Sequence, residues 1–284
     1  MSAVGGRVHS IAAFLRSPRY EVLPTADVEE RLLASVPTEV TITITASPRK
    51  GLGATLDLAA RLAGHGYRVV PHLSARLIKD EAHLCDVLAA VAAAGSREVF
   101  VVAGDTPEPA GKFPDSISLL TALHEISHEL TEIGVTGYPE RHGFIDDDVT
   151  IQAMWDKRRL ATNIVRNLCF DPKVVRKWVA RVRKRGVELP IRVGMAGVAD
   201  PAKLLRVSTK IGISDSARFL RGHSNWFLRT LQPGGYNPTR FASGLLPDLA
   251  APERRVPGIH VFTFNEIEPT ERWRRETLAA LGES

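Results

Sequence analysis

The sequence predicts an α/β fold of the (β/α)8 TIM-barrel type in a single domain. Short apolar, β-branched runs alternate with helical patterns along the whole chain, the mark of βαβ units and a parallel sheet. Eight such units are present, and eight is the number that closes a barrel. The length of 284 residues suits one barrel, since these domains run from ~200 residues to more than 250.

Strands are predicted at 19–23, 40–45, 67–72, 98–102, 134–138, 163–167, 191–195 and 259–264. Helices are predicted at 27–35, 51–64, 78–94, 115–131, 149–161, 172–186, 200–211 with a further piece at 215–230, and 267–281. The stretch 221–257, with Gln232-Pro233-Gly234-Gly235 and several other prolines, reads as irregular loops. An open doubly wound sheet would need a Gly-rich fingerprint after an early strand. The nearest approach, Lys50-Gly51-Leu52-Gly53, lacks the third glycine.

Composition narrows the class. With 44% hydrophobic and 24% charged residues the chain can bury a sizeable core. Cys85 and Cys169 are too few for a disulfide framework or a paired-cysteine metal site, so a reducing compartment is expected. Arg7, His9 and Arg16 interrupt the apolar residues of the N-terminus, which argues for a soluble cytoplasmic protein without a membrane partner. The net charge of +5 and pI near 9.4 suit nucleic acid or small polyanionic ligands equally. The densest basic run, Arg176, Lys177, Arg181, Arg183, Lys184 and Arg185, shares a predicted amphipathic helix with an apolar stripe of Val175, Trp178, Val179 and Val182. It reads as a solvated outer face; no nucleic-acid module motif is present, and no nucleic-acid partner is expected. The oligomeric state stays open, a monomer being one reading.

Barrels build their active sites at the C-terminal ends of strands and in the loops that follow. The polar residues there are Glu21, Thr45, His72, Asp105, Tyr138 with Glu140 and His142, Asn167, and Thr263 with Asn265. Glu21 stands among apolar neighbours, where desolvation is expected to raise its pKa and make it a general acid; a barrel-layer glutamate held by an ion pair is the plainer reading. Asp105 follows Gly104, a residue that lets the backbone approach a ligand, or else it caps the next turn. His72 and His142 could each bond a ligand or serve structure. The Asn167 amide could pair with the edge of a heterocycle or cap a helix. His124-Glu125-Ile126-Ser127-His128 matches the helical zinc pattern HExxH, but its predicted helix turns these histidines to the outer ring, and no metal site is expected.

The ordered strand-end motifs resemble the methylenetetrahydrofolate reductase family over about residues 17–280. Tyr20-Glu21-Val22-Leu23-Pro24 is similar to the family's Phe-Glu-Phe-Phe-Pro, and Thr45 ends a strand similar to Ser-Val-Thr. Pro71-His72-Leu73-Ser74 resembles Pro-His-Leu-Thr, and Gly104-Asp105 the end of Arg-Gly-Asp. Tyr138-Pro139-Glu140-Arg141-His142 is similar to Tyr-Pro-Glu-x-His, and His260-Val261-Phe262-Thr263-Phe264-Asn265 to Phe-Tyr-Thr-Leu-Asn with its preceding residues.

The resemblance implies reduction of 5,10-methylenetetrahydrofolate to 5-methyltetrahydrofolate with NADH or NADPH as electron source, within one-carbon metabolism and methionine biosynthesis. By the same carry-over Glu21 would protonate N10 and Asp105 would stabilise the cationic iminium. Asn167, one methylene shorter than the family's glutamine, would hold the pterin with Thr263 and Asn265. Thr45, His72, Gly104, Tyr138, His142 and Lys157 would bind the cofactor. The departures cluster around the flavin: Ala103 replaces the arginine of Arg-Gly-Asp, Ala46-Ser47 replaces Tyr-Gly, a Tyr-Ala pair is missing near Pro114-Asp115-Ser116-Ile117, and Glu266 replaces a last-strand arginine. Losing an arginine removes a charge-assisted donor. FAD is therefore doubtful, and direct hydride transfer from the nicotinamide is the favoured reading over a flavin-mediated course. A folate-binding methyl transferase is the other alternative; Glu21 and Asp105 together favour reduction, since methyl transfer generates no iminium.

Overall fold

The computed structural model describes residues 11–137, 152, 154–199 and 236–282. Eight parallel strands close into a barrel in the order β1 to β8: β1 (Arg19–Val22), β2 (Thr41–Ile44), β3 (Val69–Ser74), β4 (Glu98–Val102), β5 (Glu132–Gly137), β6 (Asn163–Arg166), β7 (Ile191–Ala196) and β8 (Gly258–Phe262). Each of the eight predicted strands is present, within two residues at most of its predicted ends. Helices return between them: α1 (Val28–Ser35), α2 (Gly53–Gly64), α3 (Glu81–Ala93), α4 (Ser116–Glu125), α5 (Pro172–Lys184), α6 (Pro238–Leu249) and α7 (Ile267–Ala280). The fold expectation of a (β/α)8 barrel therefore holds.

Alternation along a strand sends successive side chains to opposite faces of the sheet. On β1 the Tyr20 hydroxyl points outward and donates to Glu271 Oε2 of α7 at 2.9 Å, so Arg19 and Glu21 face the lumen. Arg19 lies at the N-terminal end of the barrel, where its Nη2 meets Glu98 Oε2 at 2.6 Å and Glu132 Oε2 at 3.2 Å. Asn163 Nδ2 donates to the same Glu132 oxygen at 3.2 Å. Above this charged floor Val70, Phe100 and Val165 form a separate apolar cluster. The lumen is thus sealed from below and polar again only at the C-terminal mouth.

The amphipathic helix α5 forms where its pattern predicts. Asp171 caps it by accepting from Lys173 N at 2.8 Å, Pro172 occupies the first turn, where its missing N–H costs nothing, and Val175, Trp178, Val179 and Val182 are fully buried. Burial of such side chains is worth about 1.5–3 kcal/mol each before ordering costs. Its basic face is less uniformly solvated than expected. The Arg183 guanidinium turns inward and donates to the carbonyls of Val187, Leu189, Arg254 and Arg255, and burial lowers its pKa to about 10.

Two expectations are corrected. The stretch 221–257 is not loop throughout, since α6 occupies Pro238–Leu249. Its prolines and Gly244 read as breakers, yet Pro238 is the first helical residue, and Asn237 Oδ1 caps by accepting from Arg240 N at 2.9 Å. The helix predicted at 115–131 stops at Glu125, and Ile126 is already extended. The chain must straighten early, because β5 begins at Glu132, paired with Glu98. His128 therefore lies beyond the helix, its Nδ1 3.2 Å from Leu130 N, and the HExxH histidines do not share one helical face. The predicted helices at 200–211 and 215–230 lie outside the described residues; of the helix predicted at 149–161, residues 152 and 154–157 are helical and 158–160 form a turn.

Close packing at the seam between β6 and β7 needs a glycine. A Cβ at Gly194 would stand 2.1 Å from the Arg166 carbonyl oxygen and 2.7 Å from Phe262 Cε2. Gly194→Ala should lower unfolding stability by about 1–3 kcal/mol, read as a reduced denaturant midpoint at unchanged m-value.

Candidate active site

Barrel closure creates the central feature. Because β8 pairs with β1, with Arg19 opposite His260 and Glu21 opposite Phe262, two lumenal side chains 239 residues apart in sequence meet. His260 Nε2 lies 2.9 Å from Glu21 Oε2. From β3, His72 Nε2 comes within 3.9 Å of the same oxygen. Both imidazoles are buried, 1% exposed for His260 and 5% for His72, and each is braced by an aromatic edge: Phe262 at 4.9 Å and Phe100 at 4.7 Å. The Glu21 side chain keeps 17% exposure.

The expected rise of the Glu21 pKa is overturned. Burial does push the carboxyl upward, but the hydrogen bond from His260 and the electrostatic influence of His260 and His72 outweigh it, and the group is held below the usual carboxylate range. His72 too lies below its ordinary value: burial lowers it to about 4, against an upward pull from Glu21, with His260 adding to the lowering.

Thr263 and Asn265 stand beside Glu21, turned toward its backbone. The Thr263 hydroxyl donates to the Glu21 carbonyl at 2.6 Å. Asn265 accepts from Leu23 N at 2.9 Å, and its Nδ2 donates to Leu23 O at 3.0 Å and to Thr25 Oγ1 at 2.9 Å. This clasp requires left-handed backbone at Phe264 and Asn265, with φ of 52° and 60°; asparagine tolerates that region better than most residues. Both side chains thus lock the ends of β1 and β8 together.

Asp105 lies three residues past β4 and is exposed. Its loop leaves β4 through Gly104, whose φ of 95° and whose missing Cβ, which would sit 1.9 Å from Ser74 Oγ, both require glycine. Arg76 organises the loop: its N–H donates to Ala103 O at 3.0 Å, Nη1 to Thr106 O at 2.9 Å and Nε to Pro114 O at 2.8 Å. Among the described residues no hydrogen bond or ion pair engages the Asp105 carboxylate, and Asp105 is not among the charges that act on Glu21. Asn167 directly follows β6, and its Oδ1 accepts from Leu168 N at 2.8 Å, which leaves Nδ2 without a partner among the described residues. Thr45 follows β2 and its carbonyl accepts from Thr55 Oγ1 at 2.9 Å. Lys157 is half-buried; burial lowers its pKa and the nearby Asp115 carboxylate opposes that. Tyr138 and His142 lie outside the described residues.

The structure therefore brings Glu21, His72 and Thr263 together, with Asn265 at the adjoining strand exit. It sets Thr45, Gly104, Asp105 and Asn167 around the same rim, and gathers Lys157 toward Asp115. Sequence reasoning passed over His260 and Arg76. Strand alternation held the signal for His260, which lies two residues from Phe262 on the lumenal face. Nothing local marks Arg76. Among the described residues no cluster of three or more metal-ligating side chains occurs, and no helix is long and apolar enough to cross a membrane.

A family model described as methylenetetrahydrofolate reductase matches residues 24–215, about two thirds of the chain. The chain belongs to the methylenetetrahydrofolate reductase family. The match includes Thr45, His72, Asp105 and Asn167, while Glu21 and β8 lie outside it; contact with His72 ties Glu21 to the matched part. Family membership supports folate one-carbon reductase chemistry in general. Among solved structures, a protein described as a lyase/mutase from Burkholderia cenocepacia J2315 is 17% identical, with 98% of this chain and 86% of that chain covered at a TM-score of 0.47. One described as a phosphonomutase from the same organism is 12% identical, covering 98% of both chains at 0.47. Tryptophan synthase from M. tuberculosis is 15% identical, covering 89% of this chain and 100% of that one at 0.41. Likenesses this distant carry nothing about chemistry.

His72 makes stability depend on pH. Its folded pKa of about 4 lies below the ordinary 6.5, so between those values the unfolded chain binds a proton that the folded chain refuses. The contribution is fully present above pH 6.5 and is lost as pH falls toward 4, by up to about 3 kcal/mol. His72→Gln should flatten the fall in unfolding free energy between pH 6.5 and 4; an unchanged slope would contradict a buried neutral imidazole.

Proposed function

We propose that this chain reduces 5,10-methylenetetrahydrofolate to 5-methyltetrahydrofolate with hydride taken directly from NADH or NADPH. The observation that carries the reading is the Glu21 carboxyl, held between two buried imidazoles at the mouth of a barrel of this family. The substrate's methylene bridges N5 and N10. A proton delivered to N10 by Glu21 lets the bond from the methylene to N10 break, and the electron pair stays on N10. The methylene is left as a cationic iminium on N5; hydride adds to its carbon, giving the N5-methyl group and the oxidised nicotinamide. One proton and one hydride are consumed per turnover.

Asp105 suits the role of countercharge to the iminium, because it is exposed in the loop after β4 and no cation among the described residues pairs with its carboxylate. Asn167 offers Nδ2 to the edge of the pterin. Thr263 and Asn265 serve binding through the backbone that presents Glu21. Thr45, His72, Gly104 and Lys157, with Tyr138 and His142, form the proposed nicotinamide-binding set.

The described residues fit a flavin poorly. Position 103, where the family has an arginine, offers only a methyl group, and its carbonyl is engaged by Arg76 N and, at 3.4 Å, by Ser74 Oγ. No step is therefore routed through FAD. Purified protein should oxidise NADH only when 5,10-methylenetetrahydrofolate is present, with no flavin absorption bands in its spectrum. Stoichiometric bands that bleach on adding NADH would make the flavin course the correct one. Glu21→Gln should lower kcat by about 10²–10⁴ while the thermal transition stays cooperative; full turnover in that variant would remove the proposed acid.

A further inference from the structure

We propose that His260 is the positioning residue of the acid, its Nε2–H fixing Glu21 through Oε2 so that Oε1 is the oxygen that exchanges protons at the mouth. The proposal rests on the reading above for its catalytic meaning, and on geometry for its substance. His260 sits at 1% exposure with Nε2 2.9 Å from Glu21 Oε2. Its other ring nitrogen, Nδ1, is buried without a hydrogen-bond partner among the described residues. A proton on Nδ1 would be buried unsatisfied, at a cost of about 1–3 kcal/mol; placed on Nε2 it meets a carboxylate. The tautomer assigned on this balance is Nε2–H.

The carboxyl has one oxygen on His260 and one to spare. Oε1 carries no hydrogen bond among the described residues, and the residual 17% exposure of the side chain gives it a path to the mouth. Among the described residues the titratable groups acting on Glu21 are His260 from β8 and His72 from β3. β2 presents the uncharged Thr43 opposite it, and Arg19, one lumenal step below on β1, is engaged by Glu98 and Glu132. His72, at 3.9 Å, is beyond hydrogen-bond distance. Among the described residues His260 is therefore the single side-chain donor to the acid. Its ring is held by the strand pairing that closes the barrel and by the edge of Phe262.

His260→Phe keeps a ring of similar size beside Phe262 and removes the donor. The test is a titration of the protonated Glu21 carbonyl stretch by infrared difference spectroscopy, in wild type and in His260→Phe, each referenced to the same protein carrying Glu21→Gln. Without the donor, burial is opposed by His72 alone among the described residues, and the midpoint should move up by at least one pH unit, a tenfold change in acid dissociation. The alkaline limb of kcat/KM should move with it, whereas a merely structural role would lower the whole profile without displacing it. Coincident infrared midpoints in the two proteins would overturn the proposal. If His260→Phe lacks a cooperative melting transition, the nitrogen-15 spectrum of the wild-type histidines decides: Nε2–H with bare Nδ1 supports the proposal, and a proton on Nδ1 overturns it. Absence of folate turnover in the wild type would instead strike the proposed function, leaving the infrared and nitrogen-15 results to decide His260.

Discussion

A backbone seam joins the first strand to the last, with Arg19, Tyr20 and Glu21 pairing His260, Val261 and Phe262, and the chemistry at the mouth depends on it. An open sheet would leave the Glu21 carboxyl and the His260 imidazole on opposite edges. The seam is also reinforced by side chains at the strand exits. Thr263 bonds the Glu21 carbonyl through both its N–H and its hydroxyl, and the Asn265 amide takes the place of a further strand residue against Leu23. Two consecutive left-handed residues cost of order 1–3 kcal/mol each outside glycine, and these side-chain bonds offset that cost. Strain and clasp thus fall within the short exit of β8, directly across the seam from Glu21 on β1.

The lumen is organised by polarity along its axis. At the floor, the Arg19 charge is matched by Glu98 and Glu132, and Arg192 reaches Glu132 at 3.9 Å. Buried charges are tolerable only when paired in this way, since removing one partner leaves the other uncompensated. The apolar layer of Val70, Phe100 and Val165 separates these charges from Glu21. That separation keeps the floor's cations from governing the acid, so control of its proton falls to the two histidines.

Much of this was legible in the sequence. Strand positions followed from β-branched runs, and α5 from its stripe of Val175, Trp178, Val179 and Val182, because both signals are local and periodic. Glu21, His72 and Thr263 were found together because each ends or nearly ends a strand. What failed was non-local. The Glu21 proton affinity was misjudged because its neighbour His260 is 239 residues away, and only closure reveals that a donor outweighs burial. The bonds from the Asn265 amide to Leu23 and Thr25 were hidden likewise, because the strand exit that forms them cannot be seen from its own neighbours. The end of α4 at Glu125 is dictated by the register of β5 on β4, and α6 was hidden because Pro238 signals a break and a beginning with the same residue.

A carboxyl held below its usual range looks ill suited to donate a proton, and the balance of forces resolves the difficulty. Two opposing influences set Glu21: burial, which favours the neutral acid, and the imidazoles, which favour the ion. Of these, only burial would change in the proposed pterin complex, because His260 and His72 are already buried and fixed by Phe262 and Phe100. Excluding water from the remaining exposed edge therefore moves Glu21 toward the protonated form, and a cation forming nearby moves it back toward the ion once the proton has left. On the proposed reading, the resting ion, the donor in the closed complex and the ion again after transfer would be successive states of one carboxyl, bonded throughout to His260 while its solvent changes.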